Sequence, residues 1–155
     1  MELRHPADRA IVRSLQENAR QTNRALARAA DLAPSSTLSR VRDLEQRGAI
    51  LGYHADVDLA ALGRTLQALV FARFQPKSDE IIQAFIDHVW ELPETIGLQI
   101  ITGVEDVVVH LAVAGPEELQ RVILKEISSF PGVYDERTSL LFEYRRKKVI
   151  EPLSS

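Results

Sequence analysis

The sequence predicts an α+β protein in two parts, and three observations lead to this class. Apolar residues recur at helical spacing through the first third of the 155-residue chain. After about residue 64 the spacing changes to the alternation typical of strands, and strands then alternate with two further helical segments. A hydrophobic content of 45% with 26% charged residues indicates a folded globular chain and not a disordered one.

The first two helices are expected within the segments "ADRAIVRSLQENAR" and "TNRALARAADL". Asp8 is expected to cap the first helix, whose apolar stripe comprises Ile11, Val12 and Leu15. The second helix opens with Thr22 and Asn23, two residues that favour the N-cap position. We expect it to bury three apolar side chains, those of Leu26, Ala27 and Ala30.

A third helix is expected after Ala33-Pro34, because proline suits the first turn of a helix. The apolar residues of its expected buried seam recur every three positions. Gly48 is expected to end the helix in the left-handed conformation. The seam comprises Leu38, Val41 and Leu44. Three short helices with a tight turn between the last two are typical of a helix-turn-helix, and "AILGYHADVDLAALG" is consistent with a short hairpin or an extended wing.

The remaining segments predict the order βαββαβ. Strands are expected at "TLQALVFARFQ", "TIGLQIIT", "DVVVHLAVA" and "VYDERTSLLFEYRR", and helices at "SDEIIQAFIDHVWEL", capped by Ser78, and "PEELQRVILKEI". This order is the ferredoxin-like arrangement, a four-stranded antiparallel sheet with two helices on one face. We therefore assign residues 1–58 to a winged helix-turn-helix, 59–64 to a linker and 65–150 to a ferredoxin-like domain.

Both faces of the expected sheet are apolar, although two helices can cover only one of them. In the strand at 107–114, one face carries Val107, Val109, Leu111 and Val113, and the other carries Val108, Ala112 and Ala114. His110 lies on the second face and is expected at a subunit contact. Since no segment is left to cover this face, a second copy of the chain is the expected cover, and we predict a dimer at least.

Charge is distributed unevenly along the chain, whose net charge is −3. Residues 1–54 contain nine arginines and six acids, a balance of +3, which leaves −6 for the remainder. This asymmetry indicates that the N-terminal part meets an anionic partner. The run "RRKK" at 145–148 has two interpretations, a second phosphate contact or the solvated end of an edge strand, and the second is favoured.

Several classes of function find no support in the sequence. The chain has no cysteine, and its four histidines, including His5 and His88, share no metal-ligand spacing, so no metal site is expected. No nucleophile elbow and no phosphate-binding glycine loop occurs, so no catalytic residue and no cofactor are expected. No apolar run approaches the roughly 20 residues that span a bilayer, and the opening segment does not resemble a signal peptide. A cytoplasmic location is expected.

The third helix carries an unusual number of hydroxyl and guanidinium groups opposite its seam. Ser36, Ser39, Arg40 and Asp43 are expected on that side, where hydroxyls can donate to phosphates or base edges. Arg40 suits bidentate contact with a guanine edge, and Arg42 and Arg47 are better placed for phosphates. His54, on the expected wing, is either a phosphate contact or an exposed side chain without a role.

These residues resemble the Lrp/AsnC (leucine-responsive/asparagine-responsive, feast/famine) family of bacterial transcription regulators. The features that match its winged helix-turn-helix are "NAR" at 18–20, "LAPSSTLSRVRDLEQRG" and "AILGY". "ITGVEDVVVHLAV" and "FPGVYDERTSLL" are similar to the family's effector-binding and oligomerising domain. The resemblance covers essentially the whole chain.

The resemblance implies a homo-oligomer that binds double-stranded DNA, in which dimers assemble into tetramers or octamers. It also implies a small-molecule effector, usually an amino acid, bound between domains. The positions carried over to the recognition helix are Ser35, Ser36, Thr37, Ser39, Arg40 and Arg42. The effector pocket is expected around Gly103, Val104, Glu105 and Asp106, with Asp106 pairing with an α-ammonium group and backbone N–H groups binding a carboxylate.

Two other classes of function are considered beside a DNA-binding regulator. One is a metabolite-binding regulatory protein that acts through a protein partner, with a helical domain that no longer binds DNA. The other is a small enzyme that uses the ferredoxin-like domain. It would require an arginine and an amide side chain in one pocket, and no such pair occurs at convincing spacing.

Overall fold

The computed structural model describes residue 3 and residues 5–153, and the chain divides into two compact units. The first unit comprises the chain up to Asp56 together with the segment from Arg145 onward, and the second comprises Val57–Tyr144. Residues 145–150, assigned above to the ferredoxin-like domain, therefore lie with the first unit. Residues 1, 2 and 4 of the expected winged helix-turn-helix lie outside the described residues.

Three helices form the first unit, as expected: α1 (Pro6–Glu17), α2 (Asn23–Ala29) and α3 (Pro34–Gln46). The prediction that Asp8 caps α1 is wrong, because the helix begins earlier and its N-cap is His5, whose Nδ1 accepts from the Ala7 N–H at 3.1 Å. Asp8 instead lies buried in the first turn. Thr22 caps α2 as expected, with Oγ1 accepting from the Ala25 N–H.

The buried face of α3 follows the expected seam at Val41 and Leu44, but Thr37 takes the place of Leu38. Thr37 and Leu44 are fully buried, Val41 is half-buried, and Leu38 is 42% exposed. Thr37 can be buried without leaving its hydroxyl unsatisfied, because Oγ1 donates to the Ala33 carbonyl one turn earlier at 3.0 Å. Gly48 has φ +69°, the left-handed conformation expected at the end of this helix.

The segment after α3, residues 51–58, contains neither helix nor strand, so the hairpin alternative for the wing does not form. It is attached to α3 by Tyr53, whose hydroxyl donates to Glu45 Oε1 at 2.8 Å. Burial, this hydrogen bond and the Glu45 charge raise the pKa of Tyr53 to about 12. A short 3₁₀ turn follows at Ala60–Leu62.

The second unit has the expected βαββαβ order, and its ferredoxin-like fold is confirmed. The elements are β1 (Leu66–Phe74), α4 (Asp79–Trp90), β2 (Thr95–Ile100), β3 (Val107–Val113), α5 (Pro116–Val122) and β4 (Val133–Leu141). Each pair of neighbouring strands is antiparallel, in the spatial order β2-β3-β1-β4. Ser78 caps α4, and α5 continues into a π-helical turn at Ile123–Ile127.

The core of the second unit lies between the sheet and its two helices. In β3 the residues expected to face this layer are buried, as are alternate residues of β1, together with Phe85, Val89 and Val122. Phe74 and Phe130 meet the Phe85 ring edge-on, at centroid distances of 5.0 and 5.2 Å. Trp90 continues the apolar stripe of α4, which predicts that it belongs to this core, but it is 60% exposed at the end of the helix.

The other face of the sheet is also apolar, as the sequence indicates. Val108, His110 and Ala112 are buried in β3, and Leu69 and Phe71 beside them in β1 are half-buried. Part of the cover comes from the chain itself, in two ring contacts. The Arg137 guanidinium lies 4.8 Å from the Phe71 ring centroid, and the Tyr144 ring lies 5.6 Å from that of His110. Burial lowers the pKa of His110.

Candidate nucleic-acid interface and effector loop

The exposed side of α3 presents four of the expected DNA-binding residues. Ser35, Ser36, Ser39 and Arg42 are all exposed. Thr37 was expected beside them, and this placement is wrong, because the side chain is fully buried and its hydroxyl is bonded within the helix. Thr37 is therefore removed from the set of side chains that can reach a duplex.

Arg40 does not lie free opposite the seam, which corrects its expected placement. Its guanidinium donates to Asp8 Oδ1 at 2.8 Å, and the other terminal nitrogen lies 3.1 Å from His5 Nε2. Asp8 is buried, and a buried carboxylate requires a cationic partner. Arg40 therefore acts as a positioning residue that ties α3 to α1.

Arg47 also lies close to two carboxylates, those of Asp43 and Asp8. Its Nη2 lies 2.8 Å from Asp43 Oδ2 and 3.7 Å from Asp8 Oδ2, although more than a third of the side chain stays exposed. On the segment after α3, His54 is exposed and follows Tyr53, which is bonded to Glu45. The structure therefore leaves Arg47 partly engaged and His54 open to solvent.

Sequence reasoning missed a group of exposed arginines on and before α2. Arg24 and Arg28 lie one helical turn apart on the same face of α2, and Arg20 precedes the helix. Within the described part of the chain, the side chains of these three residues and of Arg42 make no ion pair or hydrogen bond, whereas Arg13, Arg40 and Arg47 pair with carboxylates. The four-residue spacing of Arg20, Arg24 and Arg28 was the sequence signal for a shared basic face.

The expected effector loop joins β2 to β3 and has an exposed tip. Gly103 has φ +132°, and both Gly103 and Val104 are exposed. Two backbone bonds close the base of the loop, from the Ile101 N–H to the Asp106 carbonyl at 2.9 Å and from the Asp106 N–H to the Ala72 carbonyl at 3.1 Å. Among the described residues, the N–H groups of Gly103, Val104 and Glu105 donate to no acceptor, so they remain open to a ligand.

The two carboxylates of this loop already have partners. Asp106 is 5% exposed; Oδ2 accepts from the Phe74 N–H at 3.0 Å and Oδ1 forms an ion pair with Lys77. Burial by itself raises the pKa of Asp106, but the hydrogen bond from Lys77, the Phe74 N–H and the charges of Lys77 and Arg73 lower it below the usual 3.8. Glu105 accepts from Arg137 at 2.8 Å.

No group of three or more histidine, cysteine or acidic side chains is arranged to hold a metal ion within residues 3 and 5–153. Over the same residues, no helix combines the length and apolarity needed to cross a membrane.

Comparison with known proteins agrees with this two-part architecture. Residues 4–50 match the family described as winged helix-turn-helix DNA-binding, and residues 67–148 match the Lrp/AsnC ligand binding domain. The chain is 34% identical over 139 residues to the HTH-type transcriptional regulator AldR of Mycolicibacterium smegmatis, covering 90% of this chain and 81% of AldR. It is 29% identical over 136 residues to the DNA-binding transcriptional activator DecR of Escherichia coli, covering 88% and 90%.

Solved structures show the same fold over nearly the whole chain. A transcriptional regulator from Neisseria meningitidis, in complex with L-Met, superposes with a TM-score of 0.85 at 26% identity and 92% coverage of each chain. The AsnC protein of Escherichia coli has a TM-score of 0.86 at 22% identity, covering 97% of this chain and 99% of AsnC. The class that the fold and the site define is a DNA-binding transcription regulator with a ligand-binding domain. The chain belongs to the Lrp/AsnC family of these regulators.

Replacing Arg40 is expected to reduce stability more than replacing its exposed neighbour Arg42. Arg40→Ala leaves the buried Asp8 carboxylate without its closest cation, so the free energy of unfolding is expected to fall by about 1–3 kcal/mol. Arg42→Ala is the matched control and is expected to change it by less than about 0.5 kcal/mol. Urea denaturation measures both values. Equal small losses for the two variants would contradict a positioning role for Arg40.

Acid stability is expected to depend on Asp106. Its pKa is lower in the folded chain than the usual 3.8, so the ion pair stabilises the fold above about pH 4. This contribution is lost as the pH falls through the lowered pKa. Asp106→Asn is therefore expected to melt at a lower temperature at pH 7 and to lose less stability between pH 4 and 2. The exposed Asp87→Asn is the control, and an unchanged acid profile in Asp106→Asn would refute this role.

Proposed function

We propose that the chain binds duplex DNA through the exposed side of α3, with the segment after α3 and the face of α2 on the flanking backbone. The observation that carries this proposal is the row of exposed serine hydroxyls on α3 together with the Arg42 guanidinium, none of which has a side-chain partner among the described residues. Ser35, Ser36 and Ser39 contact base edges or phosphates, and Arg42 contacts phosphate. Arg20, Arg24, Arg28, Arg47 and His54 meet the backbone on either side. Thr37 and Arg40 hold the helix in place and do not read bases.

The proposed working unit is a homodimer formed through the face of the sheet that the helices leave uncovered. Its half-buried Leu69 and Phe71 are the kind of apolar surface that a second copy covers. Two copies of α3 then enter successive major grooves about 34 Å apart, or a multiple of that spacing. Dimers assemble further, into tetramers or octamers. The protein acts in the cytoplasm by binding, without catalysis and without a cofactor.

The proposed effector is an amino acid bound at the loop between β2 and β3. The open N–H groups of Gly103 and Val104 suit a carboxylate. The α-ammonium takes the place of Lys77 on Asp106, since most of the Lys77 side chain is exposed and its ammonium can move away into solvent. The L-Met complex of the Neisseria meningitidis relative supports an amino acid as the class of ligand. Effector binding biases which assembly is populated.

DNA binding is tested by fluorescence anisotropy with duplexes from the region upstream of the coding sequence and with scrambled duplexes. The wild type is expected to prefer one duplex and to bind more weakly as salt rises. Arg42→Gln is expected to lower the salt slope by about 0.9 on every duplex, as loss of one phosphate contact does. Ser36→Ala and Ser39→Ala are expected to reduce the preference between duplexes. An absence of salt-dependent binding would favour a regulatory protein that acts through a protein partner.

Effector binding is tested by thermal shift with each of the twenty amino acids. A ligand at a hundred times its Kd is expected to stabilise the protein by about 2.7 kcal/mol. The matching N-acetyl amino acid lacks the ammonium and the amino acid amide lacks the carboxylate, so both are expected to give no shift. Asp106→Asn is expected to abolish the shift of the active amino acid. A shift retained by the N-acetyl compound would refute the role of Asp106.

A further inference from the structure

The basic run at 145–148 belongs to the first unit and not to the sheet. The strand β4 ends at Leu141, so the expectation that the strand extends to residue 146 is wrong. The chain from Arg145 onward forms one compact unit with the segment that contains α1, α2 and α3. We call residues 145–151 the C-terminal arm. Its basic residues therefore stand in the unit that carries the candidate DNA-binding helix.

Side chains of the first unit hold the C-terminal arm at three points. The Gln16 amide bonds the Ile150 backbone in both directions: Nε2 donates to the carbonyl at 3.1 Å, and the Ile150 N–H donates to Oε1 at 2.9 Å. Arg13 pairs with Glu151 at 2.7 Å, and Lys148 pairs with Asp56 at 3.1 Å. A two-way amide bond specifies the backbone position of the arm, which a single surface ion pair does not.

The C-terminal arm more than doubles the net charge of the first unit. Without the chain from Arg145 onward, this unit has nine basic and seven acidic residues, a balance of +2. With it, thirteen basic and eight acidic residues give +5. The second unit has six basic and fourteen acidic residues, a balance of −8. The arm thus concentrates positive charge in the unit that carries the candidate DNA surface.

The ion pair of Lys148 places the arm beside the segment that follows α3. Asp56 comes two residues after His54, a proposed backbone contact. Arg146 and Lys147 lie within about 7 Å of Lys148 along the chain, because an extended residue spans at most about 3.6 Å. Both are exposed, and among the described residues neither forms an ion pair or a side-chain hydrogen bond. Two free cations therefore stand next to the wing segment.

We propose that the C-terminal arm binds the sugar–phosphate backbone of duplex DNA through Arg146 and Lys147. This inference rests on the proposed DNA-binding function and adds a contact from the opposite end of the chain. Two adjacent cations on an irregular backbone suit phosphate, because phosphate contacts need charge and reach but no fixed groove geometry. The arm therefore adds affinity and salt dependence for every duplex, and α3 supplies the sequence preference.

The test measures duplex binding by the full chain from 50 to 300 mM salt. Arg146→Gln/Lys147→Gln is expected to reduce the slope of log K against log salt by about 1.8, since each lost phosphate contact removes about 0.9. This corresponds to roughly thirty-fold weaker binding at 150 mM salt. The loss is expected to be equal for preferred and scrambled duplexes. Both side chains are exposed, so the melting temperature is expected to stay within about 2 °C of wild type.

Lys147→Gln and Lys125→Gln form the matched pair of single variants. Lys125 is exposed in the acidic second unit, so its loss makes the same change in net charge away from the arm. The slope is expected to fall by about 0.9 in the first variant and to stay unchanged in the second. If the wild type binds with a salt-dependent slope and the arm variants keep it, the arm does not bind DNA although the proposed function stands. If the wild type itself shows no such binding, the proposed function fails.

The acidic second unit of another copy is the competing partner for the arm. Sedimentation of wild type and Arg146→Gln/Lys147→Gln in the absence of DNA distinguishes a subunit contact from a DNA contact. A smaller assembly with an unchanged salt slope would assign the arm to a subunit contact and overturn the proposal. An unchanged assembly with the reduced slope would support it.

Discussion

The buried carboxylate of Asp8 is the constraint on which the N-terminal unit depends. Burial of a carboxylate is costly unless cations lie close to it. Arg40 and, at longer range, Arg47 supply them, and both come from α3 or its end. The ion pair of Arg40 with Asp8 thereby fixes the rotation of α3 against α1. That rotation decides which serines and arginines of α3 face solvent and which are used inside the fold.

The two units divide the charge of the protein between them. The second unit buries a sheet that is apolar on both faces. Its buried carboxylate Asp106 is paired locally, with Lys77. In the first unit several surface arginines, such as Arg24 and Arg28, have no carboxylate partner among the described residues. A net charge of −3 for the whole chain therefore conceals a cationic unit, and only the cationic unit is electrostatically suited to a polyanion.

Much of the fold could be predicted, because its signals are local. Thr22 and Ser78 cap helices through bonds to N–H groups three residues away, and Gly48 takes a conformation that favours glycine. The period-two alternation of β1 reports its buried face directly. The site was less predictable. Arg40 and Thr37 are both compatible with an exposed face of α3. The distant Asp8 engages Arg40, and packing buries Thr37 in the place of Leu38.

The sequence by itself determined the order of elements, the ferredoxin-like class and the family, since these depend on periodicity, caps and motif order along the chain. Only the tertiary structure decided which cations are free. Arg40 is ion-paired with Asp8, 32 positions away along the chain. The run at 145–148 packs in a unit that begins more than a hundred residues earlier. The physical reason is that pairing of charges depends on distance in space, and no spacing along the chain encodes a contact between segments that the fold alone brings together.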